Sequence, residues 1–332
     1  MIDWNNKRVI ISRTDSIGDV LLTLPMVAWL KEEFPSITIL FLGKGYTKSI
    51  VEAYTLVDEF IDWNDYKDLT NGEQVASFSE LEADAIVHVF PQKEIASLAK
   101  KSKIETRIGT SHRLFHLLTC TDKINFTRKK SDLHEAQLNH ALLKPFGLID
   151  LPSLESVKAT TVNFHIPDVE LPKAFLLEEE YTIFHPKSQG SAKEWPIDKY
   201  FQAALILANK GQKIVFTGTD SEGETFRNQL PKHENILDST GKLSLEQLMV
   251  LIQNAKNLVA CSTGPLHIAA YLGTNTIGLY SPKKPIHPGR WSALGKQVNI
   301  IVNDENCADC AAKKECNCVS EISIDKVLEK LR

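Results

Sequence analysis

A chain of 332 residues exceeds the usual reach of one hydrophobic core, so two medium domains are expected. With 43% hydrophobic and 24% charged residues it is composed like an ordinary globular protein able to bury a sizeable core. A net charge of −4 argues against a nucleic-acid partner.

Positive charge is nevertheless uneven. Lys100, Lys101, Lys103, Arg107 and Arg113, then Lys123, Arg128, Lys129 and Lys130, form one basic region in a mildly acidic whole. The longest mostly apolar run, Val20 to Leu30, is too short to span a bilayer and contains Thr23 and Pro25. The start MIDWNNKRVII enters a strand directly without the pattern of a secretory signal, which predicts a cytoplasmic protein. A disulfide framework is not expected there, although Cys307, Cys310, Cys316 and Cys318 cluster late in the chain.

In chain order, strands are predicted at Arg8–Ser12, Thr38–Leu42, Glu59–Asp62, Ala85–Phe90 and Thr106–Ile108. Helical patterns cover Asp19–Phe34, Tyr46–Tyr54 and Leu133–Pro145. Leu151 to Glu180 has little periodicity and holds Pro152, Pro167 and Pro172, so it reads as a linker. A second series follows: strand Thr182–Pro186, helix Ile197–Lys210, strand KIVFTG, helix Leu245–Ala255, strand NLVAC, helix Pro265–Leu272 and strand TIGLYS. Two such α/β series predict two Rossmann-like domains facing across a cleft, with the functional residues just after strands.

Four stretches lie there. RTDSIGDVLLTLP has only Gly18 where a dinucleotide fingerprint needs three glycines, and Asp19 would repel phosphate from the helix start. Asp19 therefore either caps the helix or serves as a general base. HPKSQGSAKEWP offers small residues around Ser188, flanked by Lys187 and Lys193, either as a phosphate loop or as a solvated surface loop. TGTDSEGE places Glu222 and Glu224 where a ribose is often held, or simply forms a polar turn. In ACSTGPLHIAAYLG, Ser262-Thr263-Gly264 precede Pro265 at a helix start with no acidic side chain, which makes a good anion site within reach of His267.

The order of RTDSIGDVLLTLP, HPKSQGSAKEWP and GKLSLEQLMVLIQNAKNLVACSTGPLHIAAYLG resembles glycosyltransferase family 9, the ADP-heptose:lipopolysaccharide heptosyltransferases, over nearly the whole chain. The resemblance implies a GT-B fold, with residues 1–165 binding the acceptor and 166–332 the nucleotide sugar. It implies an inverting transfer with no obligatory metal and no cofactor. It makes Asp19 the base, sets Lys193 on the donor phosphates, maps Thr263, Gly264 and His267 to the donor, and expects an acidic residue of TGTDSEGE near the ribose, for which Glu222 is the candidate; Ser188 and Ser262 join the expected donor site from the loops that hold them. Ser262 stands where well-known members carry an acid, so a sugar other than heptose is an alternative, as is a degenerate nucleotide-sugar-binding scaffold.

The residues agree with this expectation in one respect: no Asp-x-Asp occurs, so the metal-carrying motif of the other large glycosyltransferase fold is missing. A nicotinamide oxidoreductase is disfavoured because neither half has a triple-glycine turn. The basic region, with Arg107, Arg113 and also Lys44, is expected to meet a phosphorylated glycolipid acceptor or an anionic membrane face, or else to be solvated. CADCAAKKECNC has one pair at metal-ligand spacing, but its Cys-x-Cys end departs from a standard zinc site. A zinc site at Cys307, Cys310, Cys316 and Cys318 is one reading; four reduced thiols, or disulfides formed during handling, are together the simpler expectation.

Overall fold

The computed structural model describes residues 2–128 and 131–332; Lys129 and Lys130 of the basic region lie outside them. The chain divides into two compact units, Met1–His165 and Ile166–Arg332.

Unit 1 carries a parallel six-stranded sheet made of β1 (Arg8–Ser12), β2 (Thr38–Gly43), β3 (Glu59–Asp62), β4 (Ala85–His88), β5 (Thr106–Thr110) and β6 (Asp122–Ile124), in the order β3-β2-β1-β4-β5-β6. The central strands are near-continuous apolar runs because helices cover both faces; Val9, Ile10 and Ile11 are fully buried. Register sets Ser12 opposite Leu42 on one side and His88 on the other, so the loops after β1 and β4 leave the sheet together.

The single helix expected over Asp19–Phe34 is two: Ile17–Leu21 and Leu24–Glu33. Pro25 has no N–H to give to Leu21, so the first helix stops there. Thr23 Oγ1 donates to the Asp19 carbonyl at 2.9 Å, and Asn139 Nδ2 donates to the Leu22 carbonyl at 3.1 Å, which satisfies the break.

The predicted linker is also corrected. Ser153 caps a helix at Leu154–Ala159, Tyr54 pairs with Phe164, and the His165 amide donates to Ala53 at 2.7 Å, so this stretch packs on unit 1. Beyond it Leu171 and Phe175 are buried in unit 2. The segment has short elements, each below the length at which periodicity shows.

Unit 2 repeats the topology with β7 (Tyr181–His185), β8 (Lys213–Phe216), β9 (Ile236–Asp238), β10 (Asn257–Cys261), β11 (Asn275–Tyr280) and β12 (Val298–Val302), in the order β12-β11-β10-β7-β8-β9. Its core joins Phe184, Trp195, Tyr200, Phe216 and Phe226 to Val319 and Ile322 of the C-terminal segment. Trp195 Nε1 donates to the Ile322 carbonyl at 2.9 Å, which binds the loop after β7 to that segment. β6, β9 and β12 are short or partly exposed edge strands, and sequence periodicity missed all three.

Candidate active site

At the carboxyl end of β1 the chain turns through Arg13-Thr14-Asp15 into the helix Ile17–Leu21. Arg13 is 3% exposed, and its guanidinium holds two carboxylates: Nε donates to Asp15 at 2.7 Å and Nη2 to Asp19. The second oxygen of Asp19 accepts from the Ser16 hydroxyl. The Asp19 carboxylate thus faces Arg13 and Ser16, and the helix-cap alternative is not the geometry adopted. Both carboxylate side chains keep about a fifth of their surface open, at 22% and 20%, so a substrate hydroxyl can reach them.

Asp15 is a residue that sequence reasoning missed. Burial pushes its carboxyl up to about 6; Arg13 opposes this and the neighbouring charge of Asp19 adds to it. The desolvation of Arg13 is outweighed by Asp15, Asp19 and Glu135, which raise its already high pKa. Beneath this turn, His88 is 1% exposed with neither ring nitrogen partnered among the described residues, and burial first, then His116, pushes it down to about 3. His88 is therefore neutral at physiological pH.

The predicted acceptor cations fare differently. Arg107 is committed to the backbone: Nε donates to Thr119 at 2.6 Å and Nη1 to Ile104 and Glu105, so it braces the loops around β5. Arg128 is likewise tied to buried Glu135 at 2.8 Å and to Asn139 at 3.1 Å. Arg113 is exposed at the start of the helix Leu114–Thr119, and Lys44 is half-buried after β2. A groove of about 580 Å³ in the same unit is lined instead by Lys67, Lys93, Lys101, Trp63 and Gln92. Gln92 Nε2 reaches Thr14 Oγ1 at 2.7 Å, linking that groove to the Arg13 turn.

In unit 2 the loop after β7 is closed by Glu194, a second residue the sequence did not single out. It accepts from Lys187 at 2.9 Å and from the Ser188 amide and hydroxyl at 2.9 and 3.0 Å. Burial alone would raise its carboxyl, but these bonds outweigh it and hold it below the usual range. Ser188 is thus engaged within its own loop, with its hydroxyl also 3.1 Å from the Ala192 carbonyl. Lys193 points to the C-terminal segment and donates to the Cys316 carbonyl at 2.9 Å. Glu222 is 8% exposed and turned to its own helix start, where Oε2 accepts from the Thr219 amide at 2.7 Å in a capping box.

The helix Gly264–Leu272 behaves as the sequence predicts. Pro265 lies in its first turn, and no acidic residue stands there. Thr263 is 6% exposed, caps nothing, and its hydroxyl has no partner among the described residues. A buried hydroxyl beside the N-terminus of a helix is an arrangement suited to taking an anion. His267 is buried in the same turn, and Ser262 hydrogen-bonds the Tyr280 hydroxyl.

A profile of glycosyltransferase family 9 (heptosyltransferase) matches residues 79–319. The chain belongs to glycosyltransferase family 9.

Its relatives agree with that membership. Lipopolysaccharide heptosyltransferase 1 of Escherichia coli K12 is 24% identical over 98% of this chain and 99% of its own. The family 9 glycosyltransferase of Veillonella parvula superposes with a TM-score of 0.76 at 20% identity, covering 99% of this chain and 97% of its own. The ADP-heptose heptosyltransferase II of Escherichia coli superposes with a TM-score of 0.74 at 19% identity, covering 98% and 97%. The fold is therefore GT-B, two Rossmann-like units with the same strand order in each. Among the described residues no helix is long and apolar enough to cross a membrane.

Proposed function

We propose that this family 9 glycosyltransferase moves a heptose from ADP-heptose onto a lipopolysaccharide-core acceptor with inversion at the anomeric carbon, using no metal at the reacting centre. Unit 1 holds the acceptor and supplies the base, and unit 2 holds the nucleotide sugar. The observation that carries this reading is the buried Arg13 holding two partly exposed carboxylates, Asp15 and Asp19, at the carboxyl end of β1, where a ligand of a parallel sheet is received. Related heptosyltransferase WaaC of Escherichia coli, solved with ADP and with ADP-2-deoxy-2-fluoro heptose, supports the choice of donor.

In this mechanism the acceptor hydroxyl oxygen attacks the anomeric carbon. The bond from that carbon to the diphosphate oxygen breaks, and its electron pair leaves with ADP. The hydroxyl proton passes to the Asp19 carboxylate, which the Arg13 guanidinium and the Ser16 hydroxyl hold in place. Charge growing on the diphosphate meets the amides at Gly264, the Thr263 hydroxyl and His267. Lys193 joins them by exchanging the Cys316 carbonyl for a phosphate oxygen.

The acceptor's phosphates are met by Lys67, Lys93 and Lys101 of the groove, together with exposed Arg113 and half-buried Lys44. Leu114 and Leu118, exposed at 84% and 75% beside Arg113, suit peripheral contact with an anionic membrane face.

The test is thermal-shift measurement against ADP, UDP and GDP, followed by ADP-heptose consumption with a heptose-free core acceptor. Stabilisation by ADP and acceptor-dependent release of ADP are expected. Stabilisation by no nucleotide overturns the transferase reading, and ADP binding without turnover on any core acceptor favours the degenerate scaffold. Turnover with a different nucleotide sugar would assign Ser262 to donor choice.

A further inference from the structure

The four C-terminal cysteines are not used by the transfer chemistry. We propose that Cys307, Cys310, Cys316 and Cys318 bind one tetrahedral, thiolate-coordinated transition-metal ion, zinc or mononuclear iron, remote from the reacting atoms in role.

The four sulfurs all lie within 4.8 Å of one another. A tetrahedron with metal–sulfur bonds of about 2.3 Å has edges of about 3.8 Å, so the set closes on an ion with shifts of about 1 Å. Cys310 and Cys318 are already 3.8 Å apart. The Cys-x-Cys end, which departs from the spacing of a standard zinc site, is accommodated because Cys316 and Cys318 both approach Cys310, at 2.8 and 3.8 Å. Each sulfur therefore has three sulfur neighbours, whereas two disulfides would sort four sulfurs into two pairs.

Polar groups stand near three of the four sulfurs. The Cys310 amide donates to Cys307 Sγ at 3.5 Å, the Ser281 hydroxyl lies 3.7 Å from Cys310 Sγ, and the Lys193 ammonium lies 4.0 Å from Cys316 Sγ. These donors come from three separate parts of unit 2. A divalent ion with four thiolates carries a net charge of −2, which such donors and the Lys193 ammonium stabilise. On entry of the ion the four thiols release four protons to solvent, and no electrons are exchanged for zinc or ferrous iron.

The segment also needs a cross-link. Its one helix here, Ala308–Ala311, has four residues and cannot hold itself together. The ion would fix the segment, including the Cys316 carbonyl that accepts from Lys193 in this structure. The metal assignment stands without the donor role given to Lys193 above.

The full chain, made without a tag in reducing, chelator-free buffer, is measured by elemental mass spectrometry and by X-ray absorption at the metal edge. About one zinc or iron per chain with four sulfur scatterers near 2.3 Å is expected; the absorbing edge, and visible thiolate-to-iron bands, say which metal. Cys316→Ser should retain less than about a fifth of the metal, while Cys120→Ser, buried in unit 1, should retain all of it. Wild-type chain with no stoichiometric zinc or iron, a disulfide mapped within the four cysteines, or a nitrogen–oxygen ligand shell overturns the proposal. The absorption measurement uses wild-type protein, so a Cys316→Ser chain that fails to fold does not weaken the test.

Discussion

Replacing Asp15 with asparagine tests the electrostatics of the Arg13 turn. The carboxyl is pushed up to about 6 from an ordinary 3.8, because burial and the Asp19 charge outweigh Arg13. The native state then binds this proton more tightly than the unfolded state. The associated stability is fully present below about pH 3.8 and is lost as pH rises through about 6. A difference of about two pKa units, at about 1.4 kcal/mol each, makes the whole change about 3 kcal/mol, of which about 2 kcal/mol falls between pH 4.5 and pH 7. The side-chain amide of the variant does not titrate. Urea melts at a series of pH values, read by pulsed hydrogen exchange on β1 and β4 peptides, report unit 1 alone. The stability of Asp15→Asn minus that of wild type should climb by about 2 kcal/mol over this range, whatever its constant offset. A difference independent of pH refutes the assignment.

Other substitutions probe the remaining parts. Thr263→Val keeps the shape of a buried side chain but removes its unpartnered hydroxyl, and should weaken ADP binding by about 10-fold in calorimetry with thermal stability kept or improved. Glu194→Gln should loosen the loop after β7, raising hydrogen exchange at residues 187–193, because Lys187 and Ser188 lose their charged acceptor. Gly109→Ala should cost unit 1 about 1–3 kcal/mol in the same urea melts. A Cβ at Gly109 would sit 2.5 Å from His116 Nδ1 and 2.9 Å from Cys120 Sγ, both buried.

Much of the fold was legible because parallel strands buried on both faces write themselves as apolar runs. Arg8–Ser12 and Asn257–Cys261 have the bounds read from the chain, as does the edge strand Glu59–Asp62, which is not such a run. The helix Gly264–Leu272 was equally plain, since Pro265 and the absence of an acid are local signals. What stayed hidden were the partners of individual side chains. That Arg13 would gather Asp15 and Asp19 depends on the turn closing, although an arginine two residues before an aspartate at a strand end was a usable hint. Arg107 looked like a free surface cation because nothing in sequence tells that three carbonyls surround it. The protein partners of Lys193 and Ser188, 123 and 6 residues away, were likewise revealed only by packing.

The most direct test of the central claim is the rate of ADP-heptose transfer to a core acceptor by Asp19→Asn beside wild type, with ADP affinity measured on both and the anomeric configuration of the product read by NMR. The account predicts an inverted product, a kcat lower by about 10²–10⁴-fold in the variant, and unchanged ADP affinity, since Asp19 lies in unit 1 and the nucleotide is assigned to unit 2. A variant that turns over at the wild-type rate, or a product with retained configuration, contradicts it.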